Sequence, residues 1–121
     1  MTKRILVVED QEDNRQILRD LLANAGFDMI EAEDGVQAIA AASKHRPDLI
    51  LMDIQLPMVD GYEATRRIKA DPALSAIPII VVTSYALSGD EDKAREAGCD
   101  AYVAKPYSPR ALLAKIREYL P

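Results

Sequence analysis

The chain has 121 residues, 49% hydrophobic and 29% charged, with 20 acidic against 15 basic side chains and a formal net charge of −5. That is one domain of ordinary globular composition, long enough to bury roughly two thirds of its unfolded surface without a covalent staple. The single cysteine, Cys99, excludes an internal disulfide framework and a multi-cysteine zinc site, and the single histidine, His45, argues against a His-rich metal site or a His-based triad. The basic residues are scattered, and the tightest cluster, Arg66-Arg67-Lys69, reads as a solvated helix face. No basic face for phosphate contacts is evident, so direct DNA binding is not expected. The apolar runs are too short for a transmembrane helix or a signal peptide. A cytoplasmic location with no membrane partner is the expectation.

In chain order, Ile5-Leu6-Val7-Val8 is a continuous apolar run and predicts a strand buried on both faces. Ile17, Leu18, Leu21, Leu22 and Ala25 then form the apolar stripe of an amphipathic helix that Gly26 stops. Met29-Ile30-Glu31-Ala32 mixes in a charge and reads as an edge strand. Val36, Ile39 and Ala40 mark a second helix after Asp34-Gly35, and Leu49-Ile50-Leu51-Met52 a second buried strand. Ala64, Thr65 and Ile68 mark a third helix, with Glu63 and Arg67 spaced to pair. Ile79-Ile80-Val81-Val82 is a further buried strand. Ser88-Gly89-Asp90-Glu91 fits a capping box ahead of a fourth helix ended by Gly98 and anchored only by Ala94 and Ala97. Ala101-Tyr102-Val103-Ala104 is the last strand. Ser108-Pro109 opens a last helix that buries Leu112, Leu113, Ile116 and Leu120.

Strand–helix alternation with short connections predicts an α/β fold, a parallel sheet with right-handed crossovers and helices on both faces. Periodicity alone leaves the strand order open. The functional signal lies at the strand ends. The first strand runs into Glu9-Asp10, the third ends in Asp53, the fourth in Thr83-Ser84 and the fifth in Lys105-Pro106. In an open parallel sheet all carboxyl ends share one edge, where ligands bind. Three carboxylates, a hydroxyl and an ammonium are therefore expected in one crevice. Converging carboxylates repel, and Mg²⁺, a hard cation with oxygen ligands, resolves the conflict. With the ammonium of Lys105 and the hydroxyl of Thr83, such a site could hold a phosphoryl group on Asp53, a carboxylate nucleophile.

Each residue has a plainer role taken singly. Asp10 could cap a helix, Asp53 could be a turn residue before Pro57 and Gly61, Thr83 could bond backbone at a strand end, and Lys105 could reach into water. Those roles do not explain why four strands place complementary groups on the same edge.

Val7-Val8-Glu9-Asp10, Leu51-Met52-Asp53-Ile54-Gln55-Leu56-Pro57-Met58-Val59-Asp60-Gly61, Val82-Thr83-Ser84 and Ala104-Lys105-Pro106 resemble the receiver domain of two-component response regulators, over essentially the whole chain. The resemblance implies a flavodoxin-like (βα)5 doubly wound sheet in order 2-1-3-4-5. It implies that Asp53 accepts a phosphoryl group from a phosphohistidine on a sensor histidine kinase or histidine phosphotransfer protein. Asp10, Asp53 and the backbone carbonyl of Gln55 would ligate Mg²⁺, with Glu9 acting mainly through a metal-bound water. Lys105 would pair with the phosphoryl group and Thr83 would reorient to bond it. Tyr102 stands at the position of the switching aromatic, although a half-buried strand tyrosine is the plainer reading. The peptide bond before Pro106 would be cis, and Gly61 would let the loop after Asp53 turn. Ser84 stands where the family more often has alanine, and Gln55 and Tyr85 occupy variable positions that influence dephosphorylation.

No residue follows Pro121, so the expectation is a single receiver domain spanning 1–121 with no output domain. The resemblance implies that it would not be an enzyme in the ordinary sense, although it would catalyse its own phosphorylation and dephosphorylation. Output would pass to a downstream protein target or a phosphorelay acceptor. The face of the fourth helix, fifth strand and fifth helix would meet that partner, or a second copy in a homodimer. The stretch from Leu49 to Pro57, with Gly98-Cys99, is similar to the alphaproteobacterial single-domain cell-division regulators. Two other classes compete. A flavin carrier of the same topology needs a hydroxyl- and glycine-rich phosphate loop, where this chain has Glu9-Asp10-Gln11-Glu12-Asp13. A magnesium-dependent aspartyl phosphatase needs a second acid two residues after the nucleophile, where this chain has Gln55.

Overall fold

The apolar runs become five strands: β1 (Arg4–Val8), β2 (Asp28–Ala32), β3 (Leu49–Asp53), β4 (Ile79–Thr83) and β5 (Ala101–Ala104). The structure, a computed structural model, describes residues 2–83 and 90–121. Ser84, Tyr85 and the Ser88-Gly89 half of the expected capping box lie outside the described residues. All pairings are parallel and the order is β2-β1-β3-β4-β5. The helices are α1 (Glu12–Asn24), α2 (Gly35–His45), α3 (Gly61–Ala70), α4 (Asp90–Ala97) and α5 (Pro109–Tyr119). The fold is the flavodoxin-like doubly wound sheet expected. No helix among the described residues is long and apolar enough to cross a membrane.

The continuous apolar strands are explained by two cores. Ile5, Val7, Leu49, Leu51, Ile80 and Val82 face Leu18 and Leu22 of α1 and Leu112 and Ile116 of α5. The alternate residues, among them Leu6, Val8, Ile50, Met52 and Val81, face Ala38 and Ala42 of α2, Ala64 and Ile68 of α3 and Ala94 of α4. Both sheet faces are covered, so alternation carries no polar partner. Each fully buried Leu or Ile contributes about 1.5–3 kcal/mol. β1 pairs with both β2 and β3, with Val8 opposite Ala32 on one side and Met52 on the other. The chain leaves β1 in one direction and returns in the other, and a crevice opens at the carboxyl ends of β1 and β3.

Local signals place the helices. Asp34 accepts from Gln37 N at 2.8 Å, Asp60 from Glu63 N at 2.9 Å and Ser108 Oγ from Ala111 N at 3.0 Å. Gly26 and Gly98 take φ values of 89° and 102° where α1 and α4 stop. Glu63 pairs with Arg67 at 3.0 Å, as its spacing predicts.

Three details differ from the pattern. Ile17, expected in the buried stripe of α1, is 60% exposed, and Arg15 is buried beside Leu18 and Leu22. The buried face is turned because Arg15 finds acceptors for its guanidinium there. On α2, Val36 and Ala40 face solvent and Gly35, Ala38 and Ala42 are buried. The helix lies too close to the β3–α3 connection for a large side chain, since a Cβ on Gly35 would stand 1.9 Å from the Val59 carbonyl oxygen. Lys69 is not part of a solvated face: its ammonium donates to Ser75 O at 3.0 Å, Ile77 O at 2.8 Å and Asp100 Oδ2 at 2.9 Å.

Candidate functional site

The strand ladder carries the acids into place. Glu9 N donates to Ala32 O at 3.0 Å, extending the β1–β2 pairing one residue past β1 and turning the Glu9 side chain inward. Asp53 is the last residue of β3. Glu9 and Asp53 are buried, and Asp10 is exposed at the rim. The residue before α1, Gln11, makes no side-chain cap bond, so the first helix does not use Asp10 as its cap residue. One carboxylate oxygen from each of Glu9, Asp10 and Asp53 lies within 4.8 Å of the others. From the far side Lys105 N donates to Thr83 O at 2.7 Å, and the Lys105–Pro106 peptide bond is cis. The ammonium reaches Glu9 Oε1 and Asp53 Oδ2, both at 3.3 Å.

These groups line a cleft of about 290 Å³ with Gln11, Asn14 and Gln55. Glu9 accepts from Gln11 N at 3.1 Å, Asn14 Nδ2 at 3.2 Å and Lys105 Nζ. Asp53 Oδ1 accepts from Gln55 N at 3.2 Å, a short turn bond that leads the chain into the next loop. Burial pulls the Lys105 ammonium down, but the Asp53 and Glu9 carboxylates outweigh it, and its pKa rises above the ordinary lysine value. Burial pushes the Tyr107 phenol up. The loop after Asp53 returns over the site: Gly61 N donates to Ile54 O at 3.0 Å. A Cβ at Gly61 would lie 2.1 Å from the Asp53 carbonyl oxygen, so the close passage requires glycine.

Glu9, Asp10, Asp53, Gln55 and Lys105 thus meet in one cleft. Thr83 is fully buried at the end of the neighbouring strand, with Ala104 opposite it. Tyr102 is half-buried, packs against the α2–α4 side of the core, and lines a separate pocket with Arg95, Cys99 and Tyr119. Asn14 and Tyr107, which the strand-end argument does not reach, also line the site. Asn14 could have been suspected from its spacing, one helical turn after Asp10 and Gln11.

A ring of hard carboxylate oxygens beside a fixed ammonium suits a small divalent cation and an anion held together. The family model for the response regulator receiver domain matches residues 5–117. The chain is 46% identical over 120 residues to the polar-differentiation response regulators DivK of Brucella ovis and Brucella abortus, covering 99% of this chain and 98% of the relatives. Among solved structures it resembles the receiver domain of the sensor histidine kinase PA1611 from Pseudomonas aeruginosa, which holds a magnesium ion in its active-site cleft. That likeness has a TM-score of 0.92 and 37% identity over 99% of this chain and 98% of that one. A CheY-like receiver protein from Methanospirillum hungatei matches at TM-score 0.92 and 32% identity, over 99% and 94% of the two chains. The chain belongs to the response regulator receiver domain family of two-component signalling, whose general mechanism is phosphorylation of an aspartate of the receiver domain, and whose members interact with histidine kinases or phosphotransfer proteins.

Proposed function

We propose that this chain is a phosphorylation-controlled binding module with Asp53 as its phosphoacceptor. The observation that carries the reading is the placement of Asp53 Oδ2 3.3 Å from the Lys105 ammonium inside the Glu9–Asp10–Asp53 cluster. The donor set fits magnesium, since the oxygens are hard and Asp10 is not used as a helix cap. Asp10, Asp53 and the Gln55 backbone carbonyl would hold the ion, with Glu9 completing the acidic pocket. When bound, it neutralises charge on the phosphoryl oxygens.

The residues of the chain do the rest. An Asp53 oxygen forms the new O–P bond as the N–P bond of a phosphohistidine breaks, and the electron pair returns to the ring nitrogen. The Lys105 ammonium, now bonded to two carboxylates, is placed to pair with a phosphoryl oxygen instead. Thr83 then turns its hydroxyl toward the phosphoryl group, and Tyr102 moves into the space released. The same cleft is open to water for hydrolysis of the acyl phosphate, and Gln55, which lines it, influences the lifetime.

The output face is that of α4, β5 and α5. α4 is anchored by two alanines, Ala94 and Ala97, so little apolar area resists its movement. A downstream protein, a phosphorelay acceptor or a second copy of the chain binds there. The formal charge of −5 supports a protein partner over DNA. The proposed location is the cytoplasm, and the proposed organisation is one receiver domain across 1–121. The test is phosphotransfer from the histidine kinases of the source organism. One kinase, or one phosphotransfer protein, labels the parent rapidly and leaves Asp53→Asn unlabelled. Equal labelling of both chains contradicts the reading.

A further inference from the structure

Arg15 is the one charged residue of α1 that is buried, with its side chain 7% exposed. Its Nη1 donates to the backbone carbonyl of Glu9 at 2.8 Å. That oxygen and the Asp10 nitrogen belong to one planar peptide unit, so fixing the oxygen fixes the plane from which Asp10 departs. The Asp10 carboxylate itself is exposed, and its contact with Gln11 Nε2, at 3.5 Å, is at the outer limit of a hydrogen bond. Its position is therefore set by the backbone.

We infer that Arg15 is a positioning residue for the acidic cleft, acting through the Glu9 carbonyl. The inference rests on the reading of Asp10 and Asp53 as a magnesium site and adds the residue that holds one ligand in place. The charge of Arg15 is matched outside the cleft. Its guanidinium meets Glu12 at 2.5 Å, Glu31 at 3.2 Å and Glu33 at 3.1 Å. Glu31 also pairs with Arg19 at 2.6 Å. With three carboxylates around it, Arg15 acts on the cleft through geometry rather than charge. A planar fork of five donors can reach all these acceptors at once, and a lysine ammonium cannot. Groups that orient metal ligands without touching the ion commonly change metal affinity by roughly 10–100-fold when removed.

The test is calorimetric titration of the full chain with magnesium chloride, with folding of each variant checked by circular dichroism. Arg15→Met loses the carbonyl bond and raises the magnesium dissociation constant roughly tenfold or more. Glu33→Gln loses one ion pair, keeps the carbonyl bond and binds like the parent. Arg15→Lys falls between them, and decides the matter against Glu33→Gln if Arg15→Met does not fold. Parent-like affinity in both Arg15 variants overturns the inference. So does a Glu33→Gln loss equal to that of Arg15→Met, since the ion-pair network rather than the carbonyl would then be responsible. A parent that binds no magnesium, or keeps its affinity in Asp10→Asn, overturns the reading of the cleft and the inference with it. That result is seen without touching Arg15, so the two failures are distinct.

Discussion

Lys105 Nζ stands 3.3 Å from Asp53 Oδ2 and the same distance from Glu9 Oε1, so one ammonium beyond β5 bridges the acid that follows β1 and the acid that ends β3. Lys105→Met removes that cation and leaves two buried carboxylates facing each other. Phosphorylation by a small donor is expected to slow by roughly 10²–10³-fold, the usual loss when one electrostatic stabiliser is removed. The melting temperature without magnesium falls, and the gain on adding magnesium is larger than in the parent. Labelling kinetics and thermal melts check both halves.

The pH dependence follows from the same bridge. The Lys105 pKa is raised above the ordinary 10.5: burial lowers it, and Asp53 and Glu9 outweigh burial. Its stabilising contribution is complete below 10.5 and is lost as pH rises through the folded value. Burial raises the Tyr107 phenol above its ordinary 10.0, which favours the neutral form and gives the same sign. Urea midpoints are therefore expected to fall above about pH 10, and less steeply in Lys105→Met and Tyr107→Phe. A flat alkaline limb in the parent contradicts this.

Gly61→Ala places a Cβ 2.1 Å from the Asp53 carbonyl oxygen and 2.8 Å from Ile54 Cα. Both are backbone atoms, so the strand end or the returning loop must shift. The expected cost is about 1–3 kcal/mol from overpacking, with a weaker magnesium response as well. Gly26→Ala meets nothing within 4 Å, and only its φ of 89° is strained. It is expected to cost about 1–2 kcal/mol and leave the cleft untouched. Urea denaturation paired with magnesium titration separates the two effects.

Lys69 lies at the opposite, amino-terminal edge of the sheet. It bonds the carbonyls of Ser75 and Ile77 before β4, and Asp100 before β5. Lys69→Met leaves the part-buried Ile77 carbonyl without this donor, while Asp100 keeps its bond from Ile79 N, and is expected to cost about 1 kcal/mol. Phosphorylation kinetics at Asp53 stay unchanged, which distinguishes a structural strap from a site residue.

The strands and the polar groups at their ends were legible because the physics is local. A strand covered on both faces must be apolar throughout, and a parallel sheet has a single carboxyl edge. The strand order came from the family resemblance, since periodicity carries no information on it. What was not legible depended on contacts distant in sequence. A stripe of period 3.6 does not reveal that Arg15 turns inward to the Glu9 carbonyl and leaves Ile17 outside. The buried face of α2 is built of Gly35, Ala38 and Ala42, too weakly apolar to outrank Val36 in a sequence pattern. Lys69 resembles any surface lysine until the segments before β4 and β5 fold back to it.

The most direct measurement is the mass and chemical stability of the protein after exposure to a small acyl-phosphate donor at increasing magnesium. One phosphoryl group is expected, on the peptide that contains Asp53. Its formation should saturate with magnesium, and the adduct should be stable in acid, labile in base and absent from Asp53→Asn. Label on another residue, or label at Asp53 that forms equally well without magnesium, would contradict a cation-assisted aspartyl phosphate as the basis of this protein's signalling.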